Sequence, residues 1–446
     1  MNNESNISYV KKDYNIDNSI DLPKIISYHK VNDMHLYIAS EKASWISLND
    51  FGKRLLDYFK EGFSIRKIID EMQKENINKE DILKELEKFL IKIERKGFLE
   101  TAVLKEEDIK IILQLFITNK CNQKCVHCYM DAGVANYNEL GTSDFLSIID
   151  EFSKIHKTKV VFSGGEPLIR TDFFELAKRA KERELEVALF TNGTLINPTM
   201  VEKIEAFVDE IQFSLDGATQ SVNDKIRGKG VYKKVINAIN LLKDVNIKKR
   251  VAIVLMPQNV DDFKKNAEEL ARSLENVELK FGFATTEGRA NKSFKFKSDL
   301  EAEKESQIIL EKLYKKRLKI MAKYEPNLKV KNCGYGEVIS ISSIGDIFPC
   351  AILKFKAGNI KKNKLSEVIK KIRDEAISSN VENLEKCQQC DLIYICFGGC
   401  RLNNMTHNND ILKPYCNKEK REILYKKLVL RDQFDALSIW LNQKSL

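Results

Sequence analysis

Ten cysteines are the residues of this chain best suited to chemistry. They stand at Cys121, Cys125, Cys128, Cys333, Cys350, Cys387, Cys390, Cys396, Cys400 and Cys416. The polar N-terminus carries no apolar signal core, so we expect a cytoplasmic protein. That compartment keeps thiols reduced, and metal binding is therefore a better explanation of these cysteines than disulfides.

The first three cysteines have the spacing CxxxCxxC and directly follow a predicted strand. Three thiolates on one short loop can bind three irons of a 4Fe–4S cluster and leave the fourth iron open. A structural zinc site is normally closed by a fourth protein ligand, which this loop does not supply. The spacing therefore favours an iron–sulfur cluster, with zinc as the alternative.

The segment that carries this loop predicts alternating strands and helices from residue 109 onwards. Strands are expected at Ile109–Ile117, Lys159–Phe162, Glu186–Phe190, Glu210–Phe213, Arg250–Met256 and Glu278–Phe283. Helices are expected near Ser143–Phe152, Asp172–Arg183, Pro198–Phe207, Val231–Val245 and Val260–Leu274, with another after Leu300. Six such units form a parallel sheet, either doubly wound or curved into a partial barrel.

Residues suited to binding follow the ends of all six predicted strands. They are Cys121, Gly164, Thr191, Ser214, Pro257 and Glu287. Barrels collect their catalytic groups at the rim formed by the carboxyl ends of the strands. This convergence favours the partial barrel.

The cysteine loop after the first strand resembles the signature of the radical S-adenosylmethionine (SAM) enzymes. The resemblance assigns the catalytic 4Fe–4S cluster to Cys121, Cys125 and Cys128. Further SAM contacts are implied at His127, Ser163, Gly164, Gly165, Glu166, Asn192, Ser214, Asp216 and Arg227. By this resemblance the Gly-Gly-Glu backbone and Glu166 bind the methionine amino group, Arg227 binds the carboxylate, and His127 lies near the adenine.

The seven C-terminal cysteines resemble the SPASM domain, which holds two auxiliary 4Fe–4S clusters. The outer-cluster ligands implied are Cys387, Cys390, Cys396 and Cys416, and the inner-cluster ligands are Cys333, Cys350 and Cys400. Two fully ligated clusters need eight thiolates, so one inner iron is expected to be open or to take another ligand. A zinc ribbon is the alternative for this spacing.

Residues 1–100 predict a separate small domain. Strands at His35–Ala39 and Ser44–Leu48 precede three helices, the last of them at Lys79–Lys96. This order suggests a winged helix-turn-helix. It also resembles the PqqD-type element of peptide maturases, which takes a leader peptide as an added strand beside the third helix. A DNA-binding helix-turn-helix is the alternative.

The expected fold is α/β, a six-stranded partial (β/α)6 TIM barrel with a winged helix-turn-helix domain before it and a cysteine-rich SPASM domain after it. The expected bounds are 1–100 for the leader-peptide domain, 108–305 for the barrel and 306–330 for a helical bridge. The SPASM domain is expected at 331–425 and a C-terminal helix at 426–446.

The resemblance implies a maturase of ribosomally synthesised peptides that uses SAM and three 4Fe–4S clusters. A 5′-deoxyadenosyl radical would take hydrogen from a carbon of the precursor peptide. The thiolate of a peptide cysteine would then attack that carbon radical while an auxiliary cluster accepts one electron, which forms the thioether (sactionine or ranthionine) of a sactipeptide or ranthipeptide. The alternatives are a carbon–carbon crosslink or another peptide modification and, from a different class, an iron–sulfur redox sensor that binds DNA. The expected reductant is a flavodoxin or ferredoxin.

Composition and charge limit the other classes of partner. The 446 residues predict about three domains, and the 43% apolar and 31% charged content is that of a globular protein. The net charge of +9 is spread along the chain rather than concentrated, so we expect no nucleic-acid partner. The apolar stretch Ile111–Ile117, which only Gln114 interrupts, is far shorter than the roughly 20 residues of a bilayer span, so we expect no membrane partner.

Overall fold

The computed structural model describes residues 6–7, 14–106, 110–284, 287–290, 294–315, 326–352 and 355–442. The chain forms two compact units. The terminal unit combines Met1–Asp108, Lys323–Cys333 and Asn380–Leu446, and the central unit combines Ile109–Ala322 and Gly334–Ser379. The domain bounds expected from the sequence stay predictions.

The strands and helices of the described residues are named in chain order. The strands are β1 (Asn6–Ile7), β2 (Tyr14–Asn15), β3 (Ser27–Val31), β4 (Met34–Ala39), β5 (Ser44–Leu48), β6 (Lys105–Glu106), β7 (Ile112–Thr118), β8 (Lys159–Gly164), β9 (Glu186–Thr191), β10 (Glu210–Ser214), β11 (Lys248–Leu255), β12 (Val277–Phe283), β13 (Leu328–Lys329), β14 (Val338–Ile341), β15 (Asp346–Phe348) and β16 (Gly358–Asn359). The α-helices are α1 (Asp50–Lys60), α2 (Ile65–Lys74), α3 (Lys79–Arg95), α4 (Thr142–Ile155), α5 (Phe173–Glu182), α6 (Val201–Phe207), α7 (Gln220–Arg227), α8 (Val231–Leu241), α9 (Val260–Ser273), α10 (Asp299–Lys315), α11 (Leu365–Ser378), α12 (Ile393–Cys396), α13 (Arg401–Asn408) and α14 (Lys418–Asn442).

One sheet organises the central unit. Its strand order is β12-β11-β10-β9-β8-β7-β14-β15-β16. The strands β7 to β12 are consecutive and pair in parallel, as the alternating pattern predicted. Their side chains are largely buried against the intervening helices, which is the usual environment of a parallel sheet. The α/β architecture is thereby confirmed.

Three short strands extend this sheet where periodicity fades in the sequence. Strand β14 pairs in parallel with β7, and β15 and β16 follow in antiparallel order. They are two to four residues long, too short to produce a recognisable alternation. The SPASM segment therefore contributes strands to the same sheet that carries the first cysteine loop.

The loops after the first and last of the six parallel strands meet. The backbone N–H of Arg289, beyond β12, donates to the carbonyl of Cys128, beyond β7, at 2.9 Å. The partial barrel predicted from the sequence is compatible with this contact and stays a prediction.

The terminal unit contains an antiparallel sheet of order β3-β4-β5. One face, with Tyr37 and Ile46, packs against α1, α2 and α3. The other face, with Leu36 and Trp45, packs against α14. Asn49, Ser64 and Asn78 accept hydrogen bonds from backbone N–H groups at the starts of the three helices, as N-caps do.

The predicted strands and three helices of the N-terminal segment are confirmed, and β3 is an additional strand. The winged helix-turn-helix assignment stays a prediction. In the part of the chain that the structure describes, no helix has the length and apolar character needed to cross a membrane.

Candidate active site

The first three cysteines lie on a loop closed at its neck, directly after β7. The N–H of Cys121 donates to the carbonyl of Gly133 at 3.1 Å, and the N–H of Gly133 donates to Asn119 at 2.9 Å. These bonds tie the two ends of the loop together. The three thiols therefore lie on a backbone loop of restricted shape.

The thiols of this loop interact with one another. Burial raises the pKa of Cys121, and the neighbouring Cys125 and Cys128 thiols add to the increase. Burial also raises the pKa of Cys125. Neutral thiols must lose protons to bind metal, so cluster loading here releases protons.

The donor set suits a cluster better than a single ion. No three His, Cys, Asp or Glu side chains within the described ranges are grouped as one metal ion requires. In a 4Fe–4S cluster each thiolate binds a different iron, so the thiols need not converge on one point. Three half-buried thiols on a closed loop therefore fit the cluster that the spacing predicts.

The Gly-Gly-Glu element crosses the start of the cysteine loop at very short range. A Cβ on Gly164, whose φ is +130°, would lie 2.4 Å from the carbonyl oxygen of Thr118. A Cβ on Gly165 would lie 2.2 Å from that of Lys120. The N–H groups of Gly165 and Glu166 donate to these same two carbonyls at 2.8 and 2.9 Å. Only glycine permits this approach, which fixes the loop after β8 against the loop after β7.

The Glu166 carboxylate is fully buried and accepts three hydrogen bonds. The donors are the Thr191 hydroxyl at 2.7 Å, the Asn192 N–H at 2.8 Å and the Leu168 N–H at 3.1 Å. Burial raises the pKa of Glu166 to about 7 despite these bonds. The side chain thus joins the loop after β8 to the end of β9, and its contact with the methionine amino group stays a prediction.

The remaining predicted contacts near β8, β9 and β10 lie at the same rim. Ser163 is buried near the end of β8, and Ser214 is the last residue of β10. Asn192 lies after β9, with its amide nitrogen 2.8 Å from the side-chain oxygen of Asn122 and 3.9 Å from the sulfur of Cys121. The ends of β8, β9 and β10 therefore lie at the same rim as the cysteine loop.

Three of the predicted SAM contacts form a buried charge network. The Oδ2 atom of Asp216 is 2.6 Å from Nε of Arg227 and 3.0 Å from Nε2 of His127, and Oδ1 accepts from the Val254 N–H at 2.8 Å. Burial alone would raise the pKa of Asp216, but Arg227 and His127 hold it well below its usual range. Sequence patterns did not reveal that these residues bind one another.

Two nitrogen atoms of this network bear on ligand binding at the cysteine loop. Nη1 of Arg227 is 3.9 Å from the sulfur of Cys125. Nδ1 of His127 is buried without a hydrogen-bond partner among the described residues. An unsatisfied buried ring nitrogen beside the cysteine loop fits a polar ligand atom at this position.

Four of the seven C-terminal cysteines come together in the terminal unit. They are Cys387, Cys390, Cys396 and Cys416. Burial and the neighbouring thiols raise the pKa of Cys387 and Cys396 to about 11 and raise that of Cys390. The N–H of Gly399, which has a positive φ, donates to the Cys396 carbonyl at 2.9 Å. The structure groups the four thiols that the sequence predicted as outer-cluster ligands.

The three predicted inner-cluster ligands belong to different units. Cys333 and Cys400 are in the terminal unit, and Cys350 is in the central unit. Within the central unit, Cys350 and Cys128 both lie near the Tyr129 phenol. Burial raises the pKa of this phenol, and the two thiols raise it further. The inner ligand set stays a prediction.

Sequence patterns missed Gly288 and Arg289, which follow β12. Both lie against the carbonyl groups of the cysteine loop. The only sequence feature that could have identified them is their position after the sixth predicted strand, next to Glu287, which was predicted to lie at the rim.

Comparisons with known proteins agree with this geometry. The model of the radical SAM superfamily matches residues 115–270, and that of the SPASM iron–sulfur cluster-binding domain matches residues 333–391. The AdoMet-dependent heme synthase of Methanosarcina barkeri is 31% identical over 336 residues, covering 67% of this chain and 94% of that protein. The mycofactocin maturase MftC of Mycolicibacterium smegmatis is 30% identical over 325 residues, covering 66% of this chain and 78% of that protein.

The fold matches that of a solved structure. Streptococcus suis SuiB bound to S-adenosylmethionine has a TM-score of 0.55 and 17% identity, covering 90% of this chain and 99% of that one. SuiB has also been solved bound to its precursor peptide SuiA.

The chain belongs to the radical SAM superfamily and is a radical SAM enzyme. More narrowly, it is a SPASM-domain member, and its cofactors are SAM and 4Fe–4S clusters, auxiliary ones included.

Proposed function

We propose that this enzyme installs sactionine or ranthionine thioether crosslinks in a ribosomally synthesised precursor peptide. The observation that carries the peptide assignment is the antiparallel sheet β3-β4-β5, in which β3 has no strand partner on its outer edge among the described residues. Two named relatives support the same substrate class, since MftC is a maturase and SuiB binds the precursor SuiA. The winged helix-turn-helix and PqqD-like assignment of residues 1–100 is part of this proposal.

The residues at the rim would hold the cofactors. Cys121, Cys125 and Cys128 would ligate the catalytic cluster, and the loops after β8, β9 and β10 would hold SAM. When bound, these groups supply a 5′-deoxyadenosyl radical that removes hydrogen from a peptide carbon. The chain supplies position: closely packed glycines fix the loop after β8, and Glu166 ties that loop to β9. A flavodoxin or ferredoxin would deliver the electron.

The edge of β5 beside α3 is closed by the chain itself. The N–H and the hydroxyl of Ser47 donate to Asp432 of α14 at 2.6 and 2.7 Å, and Lys92 donates to the Ser47 carbonyl. The indole N–H of Trp45 donates to the Leu428 carbonyl at 3.1 Å. An added strand here would have to displace α14.

The opposite edge, β3, is the better place for a leader peptide. Val31 and Met34 pair across a two-residue turn, and this register directs the backbone N–H groups of Tyr28 and Lys30 away from β4. Tyr28 is 47% exposed. Main-chain bonds along such an edge provide affinity for an extended peptide, and the chain's net charge of +9 favours an acidic one.

The direct test is the mass and thiol count of the product. Short peptides encoded beside the gene are incubated with reconstituted enzyme, SAM and reductant, and analysed by mass spectrometry after alkylation. We expect each crosslink to remove two hydrogens and one alkylatable thiol. A product that loses the hydrogens but keeps every thiol would instead establish a carbon–carbon crosslink. No peptide modification would refute the maturase proposal.

Replacing Lys30 with proline should weaken peptide binding about tenfold or more. Proline removes an outward N–H but is tolerated on sheet edges. The matched control is Lys30→Ala, which removes the side chain but keeps the N–H, and we expect it to bind nearly as the wild type does. Fluorescence anisotropy of the labelled peptide measures both. Equal affinity of Lys30→Pro and wild type would show that the leader does not bind at β3, without affecting the maturase assignment.

A second candidate is tetrapyrrole modification, favoured by the 31% identity to a heme synthase. A change in the absorption spectrum of Fe-coproporphyrin III that depends on enzyme and SAM would support it.

A further inference from the structure

Arg289 makes four hydrogen bonds to the loop that carries the catalytic cysteines. Its backbone N–H donates to Cys128 at 2.9 Å, and Nε donates to the carbonyl of Cys125 at 3.0 Å. Nη1 donates to the carbonyl of Ala132 at 2.7 Å and to the carboxylate of Asp131 at 2.8 Å. Arg289, which follows the sixth parallel strand β12, thus binds the carbonyls of two of the three cysteines.

Gly288 makes this approach possible. Its φ is +63°, and a Cβ here would lie 2.3 Å from the carbonyl oxygen of Cys128 and 2.5 Å from that of Tyr129. A side chain at this position would push the two segments apart. The segment after β12 and the cysteine loop therefore meet backbone to backbone, in a contact that only glycine allows.

Other bonds also hold the cysteine loop between Cys121 and Gly133. The N–H of Val126 donates to Ile226 at 3.1 Å, and the side chains of Asn122 and His127 bind Asn192 and Asp216. Arg289 is the residue that binds the backbone at both Cys125 and Cys128. The backbone N–H binds the Cys128 carbonyl, and the guanidinium binds the carbonyls of Cys125 and Ala132. Because guanidinium is planar with fixed donor directions, it sets the separation of the Cys125 and Ala132 carbonyls more firmly than a flexible ammonium would.

We propose that Arg289 is a positioning residue that fixes the Cys125 and Cys128 thiolates for the SAM-binding cluster from the far end of the parallel strands. Its side chain is 27% exposed and makes these bonds without touching a predicted SAM contact. The role concerns SAM cleavage and does not depend on which substrate the enzyme modifies.

The test is Arg289→Lys in the full-length, reconstituted enzyme without peptide. Lysine keeps the charge and the backbone bond to Cys128, but its single nitrogen cannot bind the carbonyls of Cys125 and Ala132 together with the fixed geometry of a guanidinium. We expect 5′-deoxyadenosine formation to fall roughly tenfold to a hundredfold, since small misplacements at a reacting centre have effects of that order. The SAM-induced change in the electron paramagnetic resonance spectrum of the reduced enzyme should be diminished or broadened. Arg272→Lys, an exposed arginine on α9, is the matched control and should match the wild type.

Iron content separates positioning from folding. Reduced cleavage with unchanged iron content supports the proposal, and so does reduced cleavage with loss of only the irons of the SAM-binding cluster. It is overturned by wild-type cleavage together with a wild-type spectrum. Loss of all iron, or of the circular dichroism signal of the fold, also overturns it, because Arg289 would then act on the whole protein.

Discussion

Replacing any one of Cys121, Cys125 or Cys128 with alanine should abolish 5′-deoxyadenosine formation. Each thiolate binds a different iron of the cluster, so two thiolates leave it incompletely held. The reconstituted wild type should contain about twelve irons, and each variant about eight, because the C-terminal cysteines are untouched. Anaerobic reconstitution, iron and sulfide counting and a dithionite-driven SAM cleavage assay measure both quantities.

The matched control for this experiment lies on the same loop. Lys124 is exposed between the first two cysteines, and Lys124→Ala should keep both the irons and the cleavage activity. Deoxyadenosine formed at the wild-type rate by any of the three alanine variants would contradict the assignment of the catalytic cluster. Zinc in place of iron in the wild type would do the same.

The parallel strands were predictable because most of their side chains are apolar and several of the strands, such as β7, are buried on both faces. Largely apolar segments of this kind are separated by amphipathic helices, and that alternation has few other structural solutions. Strands β14 to β16 gave no such signal. Each is stabilised by its neighbour in the sheet rather than by its own pattern, so pairing with β7 had to be seen in the structure.

The functional residues were predictable where several of them form one motif. The cysteine spacing and the Gly-Gly-Glu element carry their own signal, whereas Arg289 is one of 74 basic residues. Asp216, Arg227 and His127 were each expected to lie near SAM. Their mutual ion pairs depend on bringing β7 and β10 to one rim, which sequence spacing does not encode.

The terminal unit shows why point variants are better probes than truncation. The N-terminal sheet and α14 share a core that includes Trp45 and Leu428. Asp432 of α14 is buried and forms ion pairs with Lys92 and Lys96 of the N-terminal segment. Removing residues 1–100 would expose that core and leave a buried carboxylate unpaired, so lost activity would not identify a leader-binding role.

Asp216→Ala should lower the free energy of unfolding of the apoprotein by about 3–5 kcal/mol. The carboxylate is fully buried, and its removal leaves the charge of Arg227 and the N–H of Val254 without their partner. Urea unfolding followed by circular dichroism measures the change. Glu268→Ala breaks an exposed pair with Arg272 and should cost about 1 kcal/mol or less.

The pH dependence identifies the charge of Asp216 as the cause. Because the folded-state pKa is lowered, this carboxylate contributes stability that is fully present above the unfolded value of about 4 and is lost as pH falls towards the folded pKa. The difference between wild type and Asp216→Ala should therefore shrink below about pH 4. A difference under 1 kcal/mol at neutral pH would mean that the desolvation of Arg227 and Asp216 cancels their attraction. The network would then contribute to holding the ligand-binding groups beside Cys125 rather than to the stability of the fold.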